Sequence, residues 1–215
     1  DLATKLAGIA AAPGNAGIVL DLENLPADAM PGYLDLLQRI RAAMPAGAQL
    51  AVTAPAEDAT WPLARLAHVT DRVIFMAYDQ HWDSGEAGPI ASQDWFVRQV
   101  EQAQRQIGRD KLVVALGSYG YDWHGGTADA LSVEEAWLAA HDSSALPQFD
   151  PASGNAAFAY DEDGVRHTVW MLDAAASWNQ MQALKQLGIA NIALWRLGSE
   201  DPGFWDALHA ARTGG

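Results

Sequence analysis

Gly17-Ile-Val-Leu-Asp-Leu-Glu23 decides how this chain is read. A short aliphatic run bounded by turn residues and ending in carboxylates has the form of a buried strand whose far end opens onto a site. In parallel α/β folds, sites form at the C-terminal ends of the strands. Asp21 and Glu23 are two positions apart, so on a strand both side chains point to the same face. Two adjacent carboxylates keep one acid protonated near neutral pH beside another that stays charged. Glycoside hydrolysis needs that division of labour. No histidine has metal-ligand spacing to the pair.

Outward from this stretch, strands and helices alternate. Pro31 to Met44 carries Tyr33, Leu36, Leu37 and Ile40 at helical spacing, and Gln49–Ala54 is a second strand. Thr60 is placed to cap a short helix that begins with Trp61 and Pro62. Arg72–Asp79 is a third strand, and Ser92–Ile107 a helix closed by Gly108, with Trp95, Phe96, Val100 and Ala103 on one face. Lys111–Leu116 is a fourth strand. The rhythm then breaks over about residues 118–170, which read as a loop, a helix opened by the capping box Ser132–Glu135, and a hairpin. Phe158–Tyr160 and His167–Trp170 are its arms, and Asp161–Gly164 is its turn. The alternation resumes with a helix over Ala176–Leu187, a strand over Asn191–Trp195 and a helix over Pro202–Ala211. Such alternation implies a parallel sheet with right-handed crossovers. Five strands suffice for an open sheet, whereas a closed (β/α)8 barrel needs eight, so periodicity leaves both open.

Composition excludes several function classes. The chain has 215 residues, half of them apolar, and none is cysteine, which removes disulfides, zinc–thiolate sites and thiol nucleophiles. Its 27 acidic and 13 basic residues give a net charge of −14, a poor match to nucleic acid or anionic lipid. Neutral and cationic ligands remain open. No cofactor motif is present, and no metal site is expected. Asp161-Glu-Asp-Gly164 lacks the later bidentate Glu of a calcium loop and reads as a hairpin turn.

Polar residues gather at four strand ends: Asp21 with Glu23, Tyr78 with Asp79, Tyr119 with Tyr121 and Asp122, and Trp195 with Arg196. Here the chain resembles glycoside hydrolase family 18, the chitinase family. Asp21-Leu-Glu23-Asn-Leu25 is similar to the end of that family's Asp-x-x-Asp-x-Asp-x-Glu signature, and Met76-Ala-Tyr78-Asp79 to its Met-x-Tyr-Asp strand end. Tyr119-Gly-Tyr-Asp-Trp123 and Leu194-Trp-Arg-Leu-Gly-Ser-Glu-Asp-Pro202 resemble segments of the spore-cortex branch. Gly88-Pro-Ile-Ala-Ser92, Val169–Asp173 and Asn179-Gln180 further resemble the hydrolase-like domain of bacterial envelope proteins that also carry polysaccharide deacetylase and family 2 glycosyltransferase domains. The two earlier acidic positions of the signature are Ala16 and Val19 here.

The resemblance implies a (β/α)8 barrel type of fold covering strands four to eight, with an α+β insertion before the last unit. Three strands that precede these in the family are expected before Asp1, and residues 1–14, with Leu2, Leu6 and Ile9 at helical spacing, read as the end of a helix and its exit loop. The resemblance also implies substrate-assisted, retaining hydrolysis of N-acetylglucosamine polymers outside the cytosol. Glu23 would be the acid and base, Asp21 would hold the acetamido N–H, and Tyr78 would bond the acetamido oxygen. Asp79 would contact the sugar or tune Glu23, and Trp195 would form the floor under the ring. Tyr119, Tyr121, Asp122, Trp82, Trp123 and Arg196 complete the expected binding set. Among the other tryptophans, Trp61, Trp95, Trp137 and Trp205 read as core, and Trp170 and Trp178, in or next to loops, as platform candidates. Three functions stay open: a hydrolase, a glycan-binding module without turnover, and a scaffold domain for a partner enzyme.

Overall fold

The computed structural model describes residues 1–213. Contacts group these into two compact units, one formed by Asp1–Met76 with Val100–Val114, the other by Ala77–Gln99 with Ala115 onward.

The first unit opens with helix α1, Leu2–Ala10, capped by the Asp1 side chain on the Thr4 N–H. Its buried face is Ala3, Ala7 and Ala10, while Leu2 and Ile9 are more than half exposed. The spacing of the large residues thus identified a helix but not the face that packs. Strand β1 covers only Gly17–Leu20, so it stops before Asp21 and Glu23. It pairs with a single neighbour and forms one end of its sheet. That edge position leaves Val19 55% exposed and Leu22 41% exposed, where a strand buried on both faces was expected. Gly17 is required by close approach: a Cβ there would meet the Gln49 carbonyl oxygen at 1.9 Å.

Helix α2, Met30–Ala43, begins with Pro at its first turn and buries Met30, Tyr33, Leu34, Leu37 and Ile40. Strand β2, Gln49–Pro55, runs parallel to β1, with Leu20 opposite Val52. Helix α3, Leu63–Val69, has no side-chain cap. Thr60 instead donates its hydroxyl to Asp58, inside the preceding turn, at 2.6 Å. Strand β3, Arg72–Met76, continues the parallel pairing with β2. Asp71 anchors the entry to β3: its carboxylate accepts the Leu50 N–H at 2.7 Å and an Arg41 guanidinium N–H. Burial pushes this carboxyl up, but the Leu50 N–H and the Arg41 guanidinium together hold it below the usual range.

Helix α4, Gln93–Ile107, buries Trp95, Phe96, Val100 and Ala103 as its spacing demands. Strand β4, Leu112–Gly117, follows.

In the second unit the break in rhythm is larger than the sequence reading allowed. Tyr121 to Trp123, expected in a loop, belong to strand β5, Gly120–His124, which turns back as β6, Thr127–Leu131. Helix α5, Val133–Asp142, carries the expected capping box. Strands β7, Gln148–Asp150, β8, Asn155–Glu162, and β9, Val165–Met171, complete an antiparallel sheet in the order β6-β5-β9-β8-β7. The β8–β9 hairpin closes with Glu162 opposite Val165. Its two turn residues, Asp163 and Gly164, have φ of 50° and 79°, as a type I′ turn needs. One sheet face packs on α5 through Val133, Ala136, Ala156, Phe158, Val169 and Met171.

Helix α6, Ala174–Leu187, is capped by Asp173 and closed by Gly188 at φ 70°. Strand β10, Ile192–Trp195, and helix α7, Gly203–Thr213, end the fold. The sheet of parallel type reads β1-β2-β3-β4-β10, a barrel-type α/β architecture with the insertion where the sequence put it.

Candidate active site

In the first unit, Asp21 follows the end of β1 and accepts the Thr53 hydroxyl at 2.7 Å. Thr53 follows Val52, the partner of Leu20, so the strand register places it. The sequence reading did not single out Thr53, although the register, once known, identifies it. Glu23 lies in the exposed segment that follows. The same-face argument for Asp21 and Glu23 assumed a strand that the backbone does not continue, and Asn24 turns the chain with φ of 55°. Tyr33, on α2, was read only as a core residue. Burial and the Asp21 charge push its hydroxyl up to about 12. It packs edge-on against Trp61, with ring centroids 5.9 Å apart.

The second unit holds a denser constellation. Tyr78 is buried, and Asp79 adopts φ of 62°, a left-handed conformation that Asp tolerates better than most residues. The turn is pinned from behind. The Gln80 N–H donates to the Ile90 carbonyl at 2.8 Å, and the Ser92 N–H donates to Gln80 Oε1 at 2.8 Å. Asn155 clasps Ala91, donating to its carbonyl at 2.9 Å and accepting its N–H at 3.2 Å.

Asp79 Oδ1 accepts the Tyr119 hydroxyl at 2.5 Å and the Tyr121 hydroxyl at 3.4 Å. Burial raises the Asp79 carboxyl above the ordinary carboxylate range, and the Asp83 charge adds to this against the two tyrosine hydrogen bonds. Burial and the Asp79 charge raise both tyrosines in turn, so they stay neutral donors. Tyr78, Tyr119, Tyr121 and Trp123 stack edge to face in sequence, with centroids 5.9, 5.5 and 5.4 Å apart. Gly117 makes room for Tyr119: a Cβ there would come within 2.7 Å of its ring. The arrangement is a hydrogen-bonding carboxyl set in an aromatic wall, suited to a neutral polar ligand with apolar faces.

The other expected residues divide. Trp82 is half exposed, and its carbonyl accepts the indole N–H of the buried Trp123 at 3.3 Å. Trp195 keeps 44% exposure while its carbonyl accepts the Ser118 N–H at 2.8 Å. Arg196 is exposed.

Asp122 is the clearest correction. Strand alternation turns it to the sheet face opposite Tyr121 and Trp123, where it is buried and accepts Tyr160 Oη at 2.7 Å and pairs with His167 Nδ1 at 2.8 Å. His167 lies stacked between Tyr160 and His124. Asp122 therefore ties three strands together and does not face the Asp79 site.

Of the tryptophans read as core, Trp61 and Trp95 are buried, but Trp137 and Trp205 are each 45% exposed. Trp170 lies within β9 and Trp178 within α6. His81 Nδ1 sits 3.1 Å from the Glu86 carbonyl, and no cluster of metal-ligating side chains occurs among the described residues.

No known family profile matches the chain. Among curated proteins it is 28% identical over 206 residues to the uncharacterized glycosylase YvbX of Bacillus subtilis, covering 89% of this chain and 60% of that protein. Among solved structures, a chitinase from Chromobacterium violaceum superposes with a TM-score of 0.90 at 26% identity, over 98% of this chain and 70% of that one. The spore cortex-lytic enzyme SleL of Bacillus cereus superposes with a TM-score of 0.86 at 26% identity, over 97% of this chain and 51% of that one. A family 18 N-acetylglucosaminidase from Paenibacillus barengoltzii shares the fold alone, at 16% identity and a TM-score of 0.78. Of the likenesses read from the motifs, two are found: a barrel-type fold shared with family 18 enzymes and a relationship to glycosylases that fits the spore-cortex branch. The chain spans 60% of YvbX and about half of the next curated relatives.

Proposed function

We propose that this chain hydrolyses β-linked glycans containing N-acetylglucosamine, with retention of configuration and assistance from the substrate's own acetamido group. The fit to the chitinase over 98% of the chain carries this reading, together with strand-end residues matching the family's acid, aspartate and Tyr-Asp positions. Glu23 is assigned to protonate the leaving oxygen and then to activate water. Asp21, already engaged by Thr53, is assigned to hold the acetamido N–H and stabilise the positive charge that develops on the ring. Tyr78 and Asp79 are assigned to the acetamido oxygen and the sugar, and the exposed ring of Trp195 to the apolar sugar face. The same reading puts the protein outside the cytosol, where such polymers lie, and covalent linkage to deacetylase and glycosyltransferase domains is part of the proposal.

The test is turnover of a chromogenic N-acetylglucosamine oligomer by the chain and by its Glu23→Gln variant. General acid catalysis contributes about 10²–10⁴-fold, so cleavage falls by that factor while oligomer binding persists. Equal rates in the two proteins would overturn the assignment of Glu23. A second reading rests on Ala16 and Val19, which replace two acidic positions of the family signature: a glycan-binding module without turnover. Binding with no cleavage in either protein would establish it.

A further inference from the structure

We infer that Ser118 and Asp201 form a clamp and act as positioning residues for the Trp195 ring. The inference rests on the glycan reading above, which assigns that ring to the sugar face, and adds the residues that hold it in place.

Strand β10 ends at Trp195, and the chain reaches α7 through a loop that leaves Trp195 44% exposed and Leu197 71% exposed. A ring exposed to that degree takes its aim from the backbone that carries it, because backbone conformation sets the allowed rotamers. Ser118, fully buried just beyond β4, joins the two ends of the loop. Its N–H donates to the Trp195 carbonyl at 2.8 Å, and its Oγ accepts the Asp201 N–H at 3.0 Å. One serine therefore ties the start of the loop to its end. The loop is also held along its length. The Val133 N–H donates to the Ser199 carbonyl at 3.3 Å, and Glu200 accepts the Trp205 indole N–H at 3.2 Å.

The Asp201 carboxylate fixes the far end. Its Oδ2 accepts the Ala174 N–H at 2.9 Å, and its Oδ1 accepts the Gly203 N–H at 2.8 Å. Ala174 is the first residue of α6 and Gly203 the first of α7. The first N–H groups of a helix have no partner within it, and the helix dipole favours negative charge there. Two helix starts thus converge on one carboxylate, and both of its oxygens are used. Neither of these bonds involves the Asp201 N–H. That group is spent on the Ser118 hydroxyl, and through Ser118 it carries the fixed position of the helix starts to the Trp195 carbonyl. Aspartate is the fitting residue here. Asn has a single acceptor oxygen, so it would set its amide NH2 against one of the two N–H groups.

The experiment is a double-mutant cycle read by calorimetry, with an uncleavable thio-linked N-acetylglucosamine tetramer as ligand. Ser118→Ala and Asp201→Asn are each measured with Trp195 present and with Trp195→Ala. Ser118→Ala removes the tie and leaves both helix-start bonds in place. Each variant is expected to lose at least about threefold in affinity when Trp195 is present, and to change by no more than about 1.5-fold in the Trp195→Ala background. A residue that merely supports the fold would weaken binding alike in both backgrounds, and that additivity would overturn the clamp. So would unchanged affinity in Ser118→Ala. Melting of Ser118→Ala falls by only about 2–4 °C, the scale of one neutral hydrogen bond, so folded proteins are compared. Labelling with 5-fluorotryptophan gives a second readout without ligand. The Trp195 fluorine resonance, identified by its loss in Trp195→Ala, shifts or broadens in both variants, while that of the buried Trp61 keeps its place. An unmoved Trp195 resonance would overturn the inference. If Trp195→Ala leaves affinity unchanged, the sugar floor assigned to Trp195 falls; a moved fluorine resonance then upholds the clamp by itself, and an unmoved one ends it.

Discussion

Removing the Asp122 carboxylate should unfasten the antiparallel sheet without touching the face that carries Tyr121 and Trp123. Asp122 is 6% exposed and serves two partners, Tyr160 at 2.7 Å and His167 at 2.8 Å. In Asp122→Ala both are left without that acceptor in a buried setting. A hydrogen bond to a charged group contributes about 1.5–3 kcal/mol. The carboxylate also carries its own desolvation penalty, so about 3 kcal/mol for the two bonds together is the better expectation. A chain of this size loses about 2–4 °C of melting temperature per kcal/mol, so Asp122→Ala should melt roughly 6–12 °C below the parent. Asp122→Asn keeps the shape and one good acceptor oxygen, and should recover about half of that loss. The assay is thermal unfolding followed by circular dichroism, paired with binding of an N-acetylglucosamine oligomer at a temperature where both proteins are folded. Melting should fall while affinity holds. A loss of binding at unchanged stability would mean that Asp122 contacts the ligand, and the face assignment would be wrong.

Phe158→Ala, in the core between α5 and the sheet, should cost about 3–5 kcal/mol, read as the midpoint of a urea titration; a cost under about 1 kcal/mol would show that this core is loosely packed. Tyr119→Phe deletes a donor that holds the Asp79 carboxyl down, so Asp79 should ionise at higher pH than in the parent, as followed by carboxyl-carbon NMR. Because burial has already raised this carboxyl, the stability it contributes is full below the ordinary aspartate range and is lost as pH rises through its folded-state value. The variant should carry that loss to higher pH, and an unchanged or lower titration point would refute the hydrogen bond's role. Gly117→Ala should displace the Tyr119 ring, which a Cβ would approach within 2.7 Å, and weaken oligomer binding more than it lowers stability; wild-type affinity would mean that Tyr119 is dispensable. Strands β1 and β10 end their sheet, and Val19 and Leu22 stand exposed beside the β1 edge. Light scattering of the 215-residue chain should therefore show association, and a monomer with a cooperative melt would show that the edge is protected.

The sequence alone determined the features that depend on neighbours along the chain. The capping box at Ser132, the glycine that closes α6 and the hairpin turn, read over Asp161–Gly164 and formed by Asp163-Gly164, are local backbone chemistry. Helix periodicity likewise placed α2 and α4 within a residue or so of their ends, because each buries one continuous stripe. The tertiary structure decided the rest. The stretch from Tyr121 to Trp123 read as a loop, so nothing in it set Asp122 and Tyr121 on opposite faces, and which face meets α5 depends on β8 and β9, distant in sequence. Three short strands of mixed polarity, β5, β6 and β7, carried too little periodic pattern to be recognised before their partners were known. The same limit explains Val19: an aliphatic run looks equally buried in a central strand and at an edge, and only the number of neighbouring strands separates the two.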